Sequence, residues 1–198
     1  MNGKNKAFST LDMVLMESGF KQTEAVLQSN RSNITRFAGS AIHQNTSESD
    51  VSLSIRAVEN GKTVSSSLNS IDPDSVRKTL ANMKETVKYQ RKNIESAFLP
   101  VSKKAAHAKT YFERTASISP VKKAETVGAV AGACLAHKFT ASGAFQTGVG
   151  EIAIANSRGV RQYAESTSAG LTLVVSGGDS TGYAEAASRN VDELDFMS

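Results

Sequence analysis

Apolar positions near the start of the chain recur at helical spacing, with Leu11, Val14 and Leu15 on one face. Ser9 ahead of Asp12 predicts a helix start and Gly19 a left-handed stop. From Thr23 to Leu68 the period shortens toward two. Ile34 to Phe37 and Ser40 to Asn45 read as strands, and Val51, Leu53, Ile55 and Ala57 alternate with Ser52, Ser54 and Arg56, which buries one face. Asn60-Gly61 suits a type I′ turn, because both residues accept positive φ at low cost, so Val51 to Val58 and Lys62 to Leu68 are predicted to pair as a hairpin. Asp72-Pro73 then reads as an N-cap followed by the first helical residue, and Val76, Leu80, Met83, Val87 and Ile94 carry a long amphipathic helix as far as Phe98.

Leu99 to Ser117 holds Pro100 and no sustained period, which predicts an irregular surface crossing. Ser119-Pro120 repeats the cap-plus-proline start, and Val121, Ala124, Val127, Ala131, Cys134 and Leu135 give a second helix ending near Lys138. Strand patterns follow at Phe139 to Thr147, Glu151 to Asn156, Val160 to Glu165 and Leu171 to Val175, and Gly177-Gly178-Asp179 turns the chain into a last strand, Thr181 to Ser188. Helices and strands are segregated. The expected class is α+β, a mainly antiparallel sheet of hairpins packed against two longer helices.

The two strand regions also show a weak internal repeat, which reads either as chance similarity of Ser-rich strands or as a duplication of two β-rich halves: Ile42-His43-Gln44 matches Val160-Arg161-Gln162 and Leu53-Ser54-Ile55 matches Leu171-Thr172-Leu173, both 118 positions apart. Ile71-Asp72 matches Val191-Asp192 at a shift of 120, so the second hairpins are expected to differ by two residues.

Composition narrows the class. With 198 residues, 39% hydrophobic and 21% charged, the whole chain is expected to fold as one domain, and neither disorder nor a membrane-spanning class fits. Asp12 and Glu17 interrupt the only apolar run near the N-terminus, no stretch approaches the ~20 apolar residues of a bilayer span, and the single cysteine, Cys134, has no disulfide partner within the chain. These features point to the cytoplasm. The net charge of +4 is spread among interspersed acids.

Metal-dependent hydrolysis needs two histidines on one helical face and a glutamate as general base, as in His-Glu-x-x-His or its one-residue-longer form. Neither occurs. His43 falls in a predicted strand, His107 in the crossing and His137 at a helix end, so each reads as a structural or solvated histidine. Cys134 lies on the apolar side of a small-residue helix and reads as a buried core thiol. Gly148-x-Gly150 lacks the third glycine and the strand-to-helix step of a phosphate loop, and reads as a strand connection. Arg77, Lys78, Lys84, Lys88, Arg91 and Lys92 form a basic stripe beside the long helix's apolar face, with Lys103, Lys104 and Lys109 downstream. Only Tyr89 interleaves, and the stripe reads as a solvated face ahead of a nucleic-acid surface. No catalytic, cofactor-binding or metal residue is assigned.

Two segments carry a family resemblance: Thr35-Arg36-Phe37-Ala38-Gly39-Ser40-Ala41-Ile42-His43-Gln44-Asn45, and Ala155-Asn156-Ser157-Arg158-Gly159-Val160 with Ser166-Thr167 beyond it. Gly61-Lys62 to Asp72 and Gly182-Tyr183-Ala184-Glu185-Ala186-Ala187-Ser188-Arg189-Asn190-Val191-Asp192 continue it in the same order. Together they resemble the N-terminal domain of the TldD/PmbA family of metallopeptidases, also known as modulators of DNA gyrase. The resemblance implies one N-terminal domain over 1–198. Relatives are about twice as long, and their zinc-binding helix, with His-Glu-x-x-x-His, lies in a C-terminal domain beyond Ser198.

Zinc is thus expected in the full-length protein or its partner subunit, not in this chain, which is expected to be inactive alone. The implied roles are pairing, as a homodimer or with a related subunit, and access of unfolded peptides to the active site. Extended peptides add to strand edges through sequence-independent backbone hydrogen bonds. The alternatives are an adaptor module without its catalytic half and a nucleic-acid-associated gyrase modulator. Membrane partners are not expected.

Overall fold

The computed structural model describes residues 3–93, 98–103 and 108–194. Along the chain run α1 (Gly3–Glu17), β1 (Gln22–Ala38), β2 (Ala41–Glu59), β3 (Lys62–Leu68), α2 (Pro73–Tyr89), α3 (Glu113–Ala116), α4 (Pro120–Ala136), β4 (Thr140–Asn156), β5 (Arg161–Gly177) and β6 (Ser180–Ser188), with a 3-10 turn at Val191–Glu193. The strands form one six-stranded antiparallel sheet in the order β3-β2-β1-β4-β5-β6, the α+β class that the alternation predicts.

The chain forms two compact units. The first comprises Met1–Asn30, Asp50–Ala108 and Glu151–Ala164, and the second Arg31–Ser49, Lys109–Gly150 and Glu165–Ser198. Each long strand therefore supplies one stretch to each unit. In the first, α1 (Ala7, Phe8, Leu11, Val14) and α2 (Val76, Leu80, Met83, Val87) share a core with Ala25, Leu27, Leu53, Ile55 and Ala57 of the sheet. Burying one such side chain contributes roughly 1.5–3 kcal/mol. In the second, Val127 and Val130 of α4 pack with Phe37, Ala141, Phe145, Ala169 and Leu171. Val51 and Leu173, expected in the cores, are only partly buried.

The predicted caps and turns are present. Ser75 N–H donates to Asp72 Oδ1 at 2.9 Å and Lys122 N–H to Ser119 Oγ at 3.1 Å, with Pro73 and Pro120 next in line. Asn60 and Gly61 take φ of 50° and 77° between β2 and β3, whose register runs from Glu59↔Lys62 to Leu53↔Leu68.

Several expectations fail for identifiable reasons. Ser9 lies inside α1, not at its start, because the buried set already begins at Ala7 and Phe8. The breaks expected after Phe37 and Thr147 and around Glu165 reduce to one, a turn at Gly39-Ser40 where both residues have positive φ. Elsewhere β4 and β5 run unbroken, with Gly148 and Gly150 inside β4. A glycine there admits close approach, since a Cβ on Gly148 would lie 2.7 Å from Ser168 Oγ. Helix α2 stops at Tyr89 instead of Phe98. Polar Gln90 and Arg91 follow, and Asn93 N–H bonds to Gly61 O at 2.8 Å, drawing the chain to the β2–β3 hairpin. Ile94 lies outside the described residues.

The duplication is visible in the elements. β1 and β4 start and end 118 positions apart, as do the starts of β3 and β6 and the ends of β2 and β5. The N-caps also keep this shift: the counterpart of Asp72 is Asn190, whose side chain accepts from Asp192 N–H. The 120 shift inferred for this region is therefore incorrect. The first hairpins differ only in where the turn falls: Gly39-Ser40 joins β1 to β2 but residues 157–160 join β4 to β5, and β5 is two residues shorter than β2.

Two glycine substitutions should act in opposite directions. A Cβ on Gly143 would lie 2.0 Å from Thr172 O and 3.0 Å from Phe37 Cζ, whereas Gly128 in α4 has nothing within 4 Å. Gly143→Ala should cost about 1–3 kcal/mol or more, while Gly128→Ala should add about 0.4–1 kcal/mol; urea midpoints measure both.

The Asp72 carboxyl is held down to about 2 by hydrogen bonds from the Ser70 hydroxyl and then from Ser75. Its folded value lies below the unfolded one of about 3.9, so its stabilisation is present above that and is lost as pH falls through about 2. Asp72→Asn, which still caps, should flatten the stability profile across that window in urea titrations.

Candidate functional site

The residues singled out for chemistry do not meet. His43 is exposed on β2, His137 caps the C-terminus of α4 through bonds from its N–H to Cys134 O and Leu135 O, and His107 lies outside the described residues. Cys134 is partly buried at the rim of the second core, less enclosed than expected, because it shares the face of Val127 and Val130 but lies in the last turn of α4. Among the described residues no three His, Cys, Asp or Glu side chains gather where a metal could bind. They do not fit the three-ligand cage of catalytic zinc.

The basic stripe is broken up by acids. Arg77 pairs with Glu17 at 2.9 Å and Asp74 at 3.0 Å, and Lys88 with Glu85 at 2.7 Å. Lys78, Lys84, Arg91, Lys92, Lys103 and Lys109 are exposed, and Lys104 lies outside the described residues. A cavity of about 500 Å³ beside α1 is lined by Phe8, Met13 and Met16, but its two central charges are committed to each other. Arg161 donates to both Asp12 oxygens at 2.6 and 3.0 Å and stacks 4.0 Å above the Phe8 ring. That hydrogen bond lowers the Asp12 pKa.

The polar residues of the family-like segments gather instead on the irregular crossing between α2 and α4. In the first unit, Asn156 is 5% exposed at the end of β4. Its Oδ1 accepts from Arg158 N–H at 2.9 Å and Val160 N–H at 3.0 Å, closing the hairpin turn. Its Nδ2 donates to Pro100 O at 2.9 Å and Glu24 Oε2 at 3.3 Å, while Glu24 is paired with Arg56 at 2.8 Å. Arg158 donates to Leu99 O at 2.6 Å, and Leu99 N–H donates to Gln22 Oε1 at 3.0 Å. Residues 99 and 100 are thereby tied to the sheet on both sides of their peptide bond.

The second unit repeats the device. Thr167 N–H donates to Thr110 O at 2.9 Å, Thr167 Oγ1 accepts from Phe112 N–H at 3.1 Å and donates to Arg189 O at 2.8 Å. Thr115 Oγ1 donates to the same carbonyl at 3.1 Å and accepts from Val191 N–H at 2.8 Å. Thr110 Oγ1 donates to Glu165 O, so the crossing lies along the β5 edge as an added piece of main chain. These bonds tie residues 110–115, which include α3, to β5 and to the segment after β6.

Sequence reading missed Glu24, Thr115 and Lys123. Lys123 is 2% exposed on the inner face of α4, where burial pulls its amine pKa down. Its spacing of four from Val127 was the available signal.

Residues 23–87 match the PmbA/TldA metallopeptidase domain 1 and residues 113–197 the PmbA/TldA metallopeptidase central domain. The chain belongs to the PmbA/TldD metallopeptidase family. Its fold is similar to that of TldE from Thermococcus kodakarensis (TM-score 0.84, 16% identity, 94% of this chain and 44% of that one). It is also similar to two proteins proposed as modulators of DNA gyrase. One is from Bacteroides thetaiotaomicron (0.82, 18%, 98% and 47%) and the other from Thermotoga maritima (0.80, 14%, 97% and 45%). The chain thus spans less than half the length of these structures. No curated protein matches it. Among its described residues no helix is long and apolar enough to cross a membrane.

Asn156→Ala removes four hydrogen bonds of the clamp, and Thr167→Val removes two. Each should cost on the order of 1–3 kcal/mol. Limited proteolysis should show new cleavage between residues 98 and 112 before the sheet unfolds.

Proposed function

We propose that this chain is the non-catalytic portion of a PmbA/TldD-type zinc metallopeptidase, serving subunit pairing and the access of unfolded peptides to an active site carried elsewhere in the assembly. The observation that carries this reading is the use made of the family-like segments. Asn156, Arg158 and Thr167 bond main-chain groups of Pro100, Leu99 and Phe112 on the crossing, which supports a scaffold role for these family-like residues. A scaffold with fixed strand edges suits the capture of extended chains, which needs only aligned backbone donors and acceptors.

Zinc belongs, in this reading, to the longer protein or a partner subunit, where a water held by three ligands reaches a pKa near ~7 and supplies hydroxide. This chain should then retain no stoichiometric zinc after dialysis and cleave no unfolded peptide. Metal analysis alongside a peptide digest measures both. Retained zinc, with cleavage abolished by a chelator and by His43→Ala, would make the domain an enzyme in its own right.

A further inference from the structure

The strand order reads the same from either end, so the sheet has two equivalent stretches of edge, one on β2 and one on β5. β6 pairs with β5 only from Ala169 to Gly177, and β3 pairs with β2 only from Leu53 to Glu59. On β5 the remaining edge is filled by the chain's own crossing, through Thr110 at Glu165 and Thr167. The residues 118 positions earlier are Ser47 and Ser49 on β2. There no described strand lies on the β3 side, and from Ala41 to Asp50 every residue is exposed except half-buried Thr46. Between Ala41 and Leu53 there is no lysine, arginine or proline, and the only charges are Glu48 and Asp50, so this edge carries only part of what ordinarily keeps a free edge from pairing.

We propose that this β2 edge is the surface on which a second copy of the chain docks, by antiparallel pairing of the two β2 strands about a two-fold axis at Thr46. The inference rests on the pairing role proposed above and gives it a location. Because Thr167 N–H points off the β5 edge, its counterpart Ser49 does so on β2, and with it, by alternation, Ser47, Asn45 and His43. Two identical antiparallel strands are related by an axis perpendicular to the sheet, which sets one residue opposite its own copy. Centred on Thr46, the axis pairs Asn45 with the partner's Ser47 and His43 with the partner's Ser49, all positions whose backbone groups face outward.

Side chains agree with this register. Thr46 meets the partner's Thr46, a favourable cross-strand pair, and Gln44 meets the partner's Glu48. Arg36 Nη1 already donates to Gln44 Oε1 at 2.9 Å, so the partner's Glu48 carboxylate arrives beside an amide and a guanidinium. An axis at Glu48 would instead set two carboxylates face to face.

The test uses the whole chain in sedimentation velocity, with Ser47→Pro and Thr46→Cys variants, the latter in a Cys134→Ala background. The wild type should sediment as a dimer. Ser47→Pro removes an outward donor without touching the ladder to β1, so it should keep its circular dichroism and dissociate at least tenfold more readily. Residues opposite each other at such a non-hydrogen-bonded pair lie about 4.5 Å apart between Cα atoms, within disulfide reach. Thr46→Cys should therefore form a covalent dimer on oxidation, and Ala41→Cys should not. This crosslink decides the matter if Ser47→Pro does not fold. A dimer that Thr46→Cys fails to crosslink overturns this edge while leaving the pairing role intact. A wild-type monomer at all concentrations overturns both. A monomer whose Ser47 and Ser49 amides gain exchange protection only on adding an unfolded polypeptide would assign the edge to a peptide instead.

Discussion

Continuity of the backbone ladder is the constraint from which the rest of this structure follows. Four strands of 17 to 19 residues, β1, β2, β4 and β5, are about three times the usual length. Every main-chain N–H and C=O along them must be paired or reach water. Side chains do not impose one face along that length. In β1 burial alternates near Leu27 and again near Phe37, with a half-buried stretch, Arg31-Ser32-Asn33-Ile34, between. The ladder holds that stretch, and so one strand serves two cores without a break.

This division explains what could be read from the sequence. Hairpin tips and helix starts were legible because they depend on single residues with strong local preferences: Asn60-Gly61 for positive φ, Asp72 and Ser119 for the cap, Pro73 and Pro120 for the first helical position. The core faces were legible wherever apolar alternation is sustained, as at Leu53, Ile55 and Ala57. Strand continuity through residues 31–34 and 148–150 was not, since backbone pairing leaves no mark on side-chain type. The end of α2 was missed because Ile94 fell in phase with Val87, although the positions between them could not extend a buried stripe.

The candidate site was legible in a different way. Asn156, Arg158 and Thr167 stood out by resemblance, but their chemical use was hidden, because their partners are carbonyls and amides of Leu99, Pro100, Thr110, Phe112 and Arg189. Main-chain partners have no sequence signature. Lys123 shows the complementary blindness: its charge suggested solvent, while its helical phase placed it inside.

The duplication gives these observations a common origin. A repeated α–β–β–β unit produces two equivalent edges, and an edge once made must be covered, charged or left open to association. The link between the repeats covers one of them, because the crossing from α2 to α4 passes β5 and is tied there by Thr110 and Thr167. A single link runs along only one of two equivalent edges. The inequality between β2 and β5 is thus built in by connectivity, and an association site arises on β2 without any residue having to be specialised for chemistry.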